Sequence, residues 1–184
     1  MKNPVDILKN LIGDDLLALY ESHEGVNVAA LDRRKLLDTA RLIRDNPDLR
    51  LRYLSYITAV DCLQTERVFY LIYEFVNLDN DNRLRLKVAV PEKEPWIPSI
   101  TSIYPSANWH EREMMEMFGI KVMEHPDPRK LLLPDWVNEN PLRKSFPHEG
   151  EELWKFHERI IEMFNEKSEY RGRTDDPWVE RFIE

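Results

Sequence analysis

The chain is short of glycine and almost without cysteine or glutamine: five glycines, the lone Cys62 and the lone Gln64 in 184 residues. One thiol forms no internal disulfide and supplies neither a four-cysteine zinc site nor the four-thiolate ligation of an iron-sulfur cluster. A reducing compartment is the natural setting for such a chain. No glycine-rich phosphate loop is present. No apolar run reaches the length of about 18 residues that a spanning helix needs. The start, Met1-Lys2-Asn3-Pro4, leads into mixed polar and apolar sequence rather than a basic region with an apolar stretch, so secretion is not expected. A basic excess is lacking too. With 26 basic and 34 acidic residues the net charge is -8, which argues against a nucleic-acid partner. Scarce Gln and Cys beside 33% charged residues give a hyperthermophile-like composition.

Over roughly the first 90 residues the pattern predicts an α+β domain, mainly antiparallel sheet with flanking helices. Val5 to Ile12 reads as a short amphipathic helix. Asp15 to Glu21 and Val26 to Leu31 read as a hairpin turning at Gly25. Asp32 caps a helix running to Asp45, with Leu36, Leu37, Ala40 and Ile43 as its stripe. Strands are expected at Leu51 to Val60, Arg67 to Val76 and Arg83 to Val90. The second is so continuously apolar that it reads as central and covered on both faces, whereas the third alternates as if one face were wet.

The composition changes at Pro91. Nine of the twelve prolines lie between Pro91 and Pro147, together with Trp96, Trp109 and Trp136, so residues 91-147 are expected to run largely extended. Such a strap either docks on a partner, as its Trp and Arg content suits, or lies over its own sheet. One helix is marked within it: Asn108 with Glu111 forms a capping box, and Gly119 stops the helix. Its acidic groups fall among large apolar ones, so Glu111, Glu113 and Glu116 need basic partners, with Arg112, Arg129, Arg143 and Lys144 nearby. Residues 148-184 form an acidic tail with 11 acidic and 6 basic residues, in which Glu151 to Ser168 is an expected helix before an arm.

Enzyme signatures are incomplete. His110-Glu111-Arg112-Glu113-Met114 resembles a helical zinc motif, but Met114 replaces the second imidazole. Asp79 to Arg83 opens like a calcium loop yet lacks the glycine and the bidentate glutamate, so a polar hairpin turn explains it better. His125-Pro126-Asp127 favours a hydrogen-bonded structural histidine over a ligand. Ser145 and His148 have no third group or oxyanion loop. The residues therefore point to a non-catalytic interaction protein, with no catalytic, cofactor-binding or metal-binding residues of its own.

Trp109-His110-Glu111-Arg112-Glu113, then Gly119-Ile120, His125-Pro126-Asp127, Arg129-Lys130-Leu131-Leu132-Leu133-Pro134 and Pro141-Leu142-Arg143-Lys144 with Phe146-Pro147 resemble the signature of the C-type subunit of NADH:quinone oxidoreductase, respiratory complex I. Thr58 to Asp61 and Pro98 to Thr101 extend the likeness, which covers about Leu49 to Pro147. Departures are Glu116 and Ser145, where the family usually has aspartate, and the link Val137-Asn138-Glu139-Asn140, where it usually has glycine. Relatives of this subunit also occur in membrane-bound, energy-converting nickel-iron hydrogenases and their sulfane-sulfur-reducing cousins, common in archaea, and the composition pulls towards the hydrogenase branch; the alternatives are the same role in an NADH/quinone or sulfur-reducing complex, or a stand-alone enzyme using the carboxylate helix. The resemblance implies a scaffold without cofactor, lying peripherally on the cytoplasmic face of the cell membrane. Implied partners are a hydrogenase-like large subunit, a small subunit with the proximal iron-sulfur cluster and a ferredoxin-like cluster subunit, with indirect association to the membrane arm. The nickel-iron centre and clusters are expected in those partners. The expected partner interface is Trp109, Glu111, Arg112, Glu113, His125, Arg129, Trp136, Arg143 and Lys144. Breaking one of its buried pairs is expected to cost roughly 3 to 5 kcal/mol.

Overall fold

The computed structural model describes residues 4–13, 16–133, 137–147 and 155–162. Helix α1 spans Pro4–Ile12 and α2 Leu36–Asp45; the strands are β1 Leu16–Glu21, β2 Asn27–Leu31, β3 Tyr53–Cys62, β4 Val68–Val76 and β5 Arg83–Pro91. A 3-10 turn at Arg33–Lys35, capped by the Asp32 side chain, opens α2. Strand β6, Trp96–Pro98, helix α3, Ala107–Phe118, and β7, Lys121–Met123, complete the sequence of elements. The chain divides into one unit of Met1–Asp135 with Glu139–Phe146 and another of Trp136–Asn138 with Pro147–Glu184. In the second, residues 155–162 are helical, inside the helix expected over Glu151 to Ser168. The remainder of that helix, Trp136, His148 and the terminal arm lie outside the described residues.

The first unit is an α+β structure built on a five-stranded sheet in the order β1-β2-β5-β4-β3. The hairpin, β3·β4 and β4·β5 are antiparallel, and β2·β5 is parallel. That parallel contact was not expected; α2, β3 and β4 intervene between β2 and β5, so the chain returns beside β2 in its own direction. Strand β4 lies between β5 and β3 rather than at the centre. It is covered fully on one face only: Phe69, Leu71, Tyr73 and Phe75 are buried, while Tyr70 and Ile72 on the other face are half-buried. Glu74 is buried on that wetter face because Arg85 holds its carboxylate at 2.7 Å. The Asp79 to Arg83 stretch is a hairpin turn, closed by the Asn77 N–H donating to the Asn82 carbonyl at 2.8 Å.

The core face of the sheet gathers α2, α3 and much of the proline-rich segment. Ile97, Ile100, Ile103, Tyr104, Ala107, Met114, Met117, Phe118, Ile120 and Val122 all join the same apolar cluster as the strands. Up to Met123, then, the strap lies over its own sheet, because its apolar residues recur too densely to be left to a partner. Tyr104 is one of its buried anchors. Its ring packs 4.9 Å from that of Phe75, and its hydroxyl donates to the Leu51 carbonyl at 2.6 Å.

Candidate functional site

Helix α3 is stopped by Gly119, which takes the left-handed conformation at φ 70. The expected capping box is absent. The helix starts at Ala107 behind Ser106, and Glu111 turns inward instead of back to Asn108. This reassignment makes α3 a holder of other segments, because Glu111 reaches the loop after β6 while Arg112 and Glu116 reach the strap that follows β7.

Glu111 is fully buried. Its Oε1 accepts the Ile100 N–H at 2.8 Å and its Oε2 accepts the Ser99 hydroxyl at 2.7 Å, which pins the loop after β6 to the helix. His125 Nε2 stands 3.7 Å from the same carboxylate, with its side chain wholly out of solvent. The Asp127 N–H donates to His125 Nδ1 at 3.0 Å, so the ring's proton is on Nε2, where it donates to the Asn108 carbonyl at 3.2 Å. Burial pushes Glu111 up to about 7, against the opposing pull of its bonds from Ile100 and Ser99. Tyr73, also fully buried, is raised well above its ordinary value, first by burial and then by the neighbouring Glu111.

Residues 125–133 follow as an extended strap along α3. Arg112 donates to the carbonyls of Arg129 and Lys130, each at 2.8 Å, and lies 3.6 Å from the Asp127 carboxylate. Asp127 is also gripped by Arg129 at 2.7 Å, which holds its carboxyl below the usual carboxylate range. Glu116 then collects three consecutive backbone donors: Leu131 at 3.2 Å, Leu132 at 2.9 Å and Leu133 on its second oxygen. These replace the basic partner expected for Glu116, since a carboxylate is satisfied equally by converging N–H groups.

The turn at 140–144 closes over the other end of α3. Asn140 donates to the Glu116 carbonyl at 2.8 Å, the Leu142 N–H to that of Met117 at 3.1 Å, and Arg143 Nε to that of Phe118 at 2.7 Å. Three carbonyls left over by the helix are thereby satisfied, two by side chains and one by backbone. Arg143 also lies 5.5 Å over the Phe69 ring. The Lys144 N–H donates to the buried Asp61 carboxylate at 2.8 Å, tying this turn to the end of β3.

Buried ion pairs were expected among Glu111, Arg112, Glu113, Arg129, Arg143 and Lys144, and the structure arranges these residues differently. Glu111 and Arg112 are withdrawn from solvent, but Glu113, Arg129 and Lys144 are exposed. Arg143 binds carbonyl and ring rather than a carboxylate. Sequence reasoning missed Ser99, Tyr73, Asp127 and Asn140 as parts of the site. Only Asp127 carried a local signal, through its two-residue spacing from Arg129; the others meet α3 across long stretches of chain.

Large apolar side chains remain outside. Trp109 on α3 is 63% exposed, beside the Arg112 guanidinium at 5.6 Å from its ring, and Met123, Leu132 and Leu142 are also exposed. A cleft of about 590 Å³, lined by Trp96, Met115, Gly119 and Ile120 with Lys93 and Lys121, opens at the C-terminal turn of α3. Among the described residues no helix is long and apolar enough to cross a membrane.

The sequence profile described as respiratory-chain NADH dehydrogenase, 30 Kd subunit, matches residues 29–152. The C-type subunit of NADH-quinone oxidoreductase from Roseiflexus sp. (strain RS-1) is 37% identical over 146 residues, 79% of this chain and 83% of that one. Its namesake from Roseiflexus castenholzii is 38% identical over the same coverage. Among solved structures, the trypsin-resistant fragment of Nqo5 superposes with a TM-score of 0.57 at 25% identity, over 66% of this chain and 96% of its own. A chain of the membrane-bound sulfane sulfur reductase, an archaeal respiratory membrane complex, gives 0.63 at 19% identity over 93% of this chain and 96% of its own, a likeness of fold.

Proposed function

Because the chain belongs to the family of the 30 kDa subunit of respiratory-chain NADH dehydrogenase, we propose that it is a non-catalytic brace in the peripheral arm of a membrane-bound, complex I-like oxidoreductase. One observation carries this reading: Trp109, Met123, Leu132 and Leu142 stay exposed on segments gathered at α3 by hydrogen bonds. Exposed large apolar groups on a pinned backbone suit recognition by another protein surface, because little ordering cost remains to be met on docking. The partners are a hydrogenase-like large subunit, a small subunit with the proximal cluster and a ferredoxin-like cluster subunit, and these hold the redox centres. Trp109, Glu113, Arg129 and Lys144 face them, while Glu111, Arg112, His125 and Arg143 shape the surface from behind. The brace sits peripherally at the cytoplasmic face of the membrane.

Of the assemblies that use such a brace, a quinone-reducing complex is supported by the 37% and 38% identity to the two Roseiflexus chains named for NADH-quinone oxidoreductase. An energy-converting nickel-iron hydrogenase is the second reading, favoured by the scarcity of Gln and Cys in a heavily charged chain. Purifying the tagged chain from detergent-solubilised native membranes, with mass spectrometry of what co-elutes, decides. A large subunit without the cysteine pairs that hold nickel and iron supports the quinone-reducing class; a large subunit with both pairs supports the hydrogenase. A solitary band overturns the bracing role.

A further inference from the structure

The two short strands beside α3 carry an outward face that the core does not use. Strands β6 and β7 run parallel, with Trp96 opposite Lys121, Ile97 opposite Val122 and Pro98 opposite Met123. Side chains alternate along a strand, and here the middle pair goes inward: Ile97 and Val122 are both buried. The flanking pairs stay outside, with Lys121 and Met123 exposed and Trp96 and Pro98 half-buried. At its Trp96–Lys121 end this face runs into the cleft of about 590 Å³, where Met115 and the buried Ile120 add apolar wall.

The charges around the cleft are unevenly matched. Glu94, its one acidic lining residue, is engaged by Arg33, which donates to the Glu94 carbonyl at 2.7 Å and lies 3.3 Å from its carboxylate. The same guanidinium stands 4.1 Å from the centre of the Trp96 ring, which holds that ring in place as part of the wall. Lys93 and Lys121 are exposed, and neither ammonium has a carboxylate partner among the described residues. In a chain of net charge -8, two unmatched lysines beside an apolar cleft make a local site of the opposite sign.

We infer that this cleft receives an acidic segment of a partner subunit, with a large apolar side chain seated against Trp96, Met115 and Ile120 and its flanking carboxylates on Lys93 and Lys121. The inference rests on the reading of the chain as a brace, and it adds a contact that differs in chemistry from the exposed Trp109 side of α3. Apolar walls with a few charged groups at the mouth suit an anchor side chain, because burial supplies affinity while the charges supply orientation and on-rate. The two lysines come from different segments, one between β5 and β6 and the other on β7, which suits two carboxylates of one chain better than the single headgroup of a fatty acid. Pro98 and Met123 continue the same face beyond the cleft, along the path an extended segment would take.

A water-soluble carbodiimide tests this in native membranes, since it joins an ammonium to a carboxylate only where the two are in contact. After treatment the tagged full-length chain is purified and its cross-linked peptides are identified by mass spectrometry. Lys93 or Lys121 is expected to be joined to an aspartate or glutamate that flanks a large apolar residue of another subunit, with a yield that falls as salt is raised. The doubly reversed variant, Lys93→Glu with Lys121→Glu, is expected to unfold at the wild-type urea midpoint and to recover that subunit about tenfold less well, because like charges then face each other. The cross-link in the wild type carries the test if this variant does not fold. Links from these lysines only to carboxyls of this chain or of a second copy, an acyl adduct left by a bound fatty acid, or no link at all overturn the inference, as does wild-type recovery by the reversed variant. Where other subunits still co-elute, those outcomes leave the brace standing; a solitary band without a cross-link removes both.

Discussion

Substituting alanine at Gly119 tests two constraints together. The residue sits at φ 70, where a β-carbon is disfavoured, and an added methyl would fall 2.5 Å from Asn140 Oδ1 and 2.7 Å from Arg143 Nη2. The turn at 140–143 can close on the last carbonyls of α3 because no side chain intervenes. Gly119→Ala is expected to lower stability by roughly 1 to 3 kcal/mol, read from urea unfolding. Arg143→Ala probes the same junction from the other side. With a carbonyl and an aromatic ring as its partners, no carboxylate is stranded by its loss, so a cost of roughly 1.5 to 3 kcal/mol for a charge-assisted hydrogen bond applies. A measured loss above about 5 kcal/mol would mean that Arg143 neutralises a buried charge after all.

At the scale of elements, α3 works through the spacing of its polar residues. Glu111, Arg112 and Glu116 fall within one side of the helix and catch the strap or the loop after β6 with their side chains, while Asn108 takes His125 on its backbone carbonyl. Glu116→Ala removes the acceptor of three consecutive N–H groups without touching the sheet. Amide exchange at 131–133 is expected to rise at least tenfold while that of β4 and β5 stays unchanged; equal acceleration everywhere would show that α3 supports the whole fold instead. Much of this was legible beforehand. The hairpin at Gly25, the Asp32 cap, the strands and the Gly119 stop are set by local turn chemistry and period, which a sequence displays. The parallel β2·β5 contact and the partners of Glu111 are set by packing between distant segments, for which no local pattern exists. The motif residues 109–113 were legible as a unit, but their roles diverge: Glu111 goes inward, Trp109 and Glu113 outward, according to which side of the helix each occupies.

For the molecule as a whole, stability and assembly draw on different residues, and that separation can be measured. The first unit buries its core without Trp109, which keeps 63% of its surface in solvent and has the Arg112 guanidinium 5.6 Å from its ring. Truncating it removes little folding energy, since surface substitutions outside caps and networks fall within about 0.5 kcal/mol. At an interface the same truncation acts on an aromatic anchor, where hot-spot losses run to roughly 2 kcal/mol or more, about 30-fold in affinity. Trp109→Ala is therefore expected to unfold in urea with the wild-type midpoint yet to recover far less of the large subunit in a tagged pull-down from native membranes. Glu113→Ala, on the same exposed side, separates charge from apolar contact: a loss that salt reproduces in the wild type identifies an electrostatic contribution, because exposed ion pairs are screened. Wild-type recovery of partners by Trp109→Ala would move the docking surface away from α3, to the cleft beside Gly119 or to the open face of the sheet.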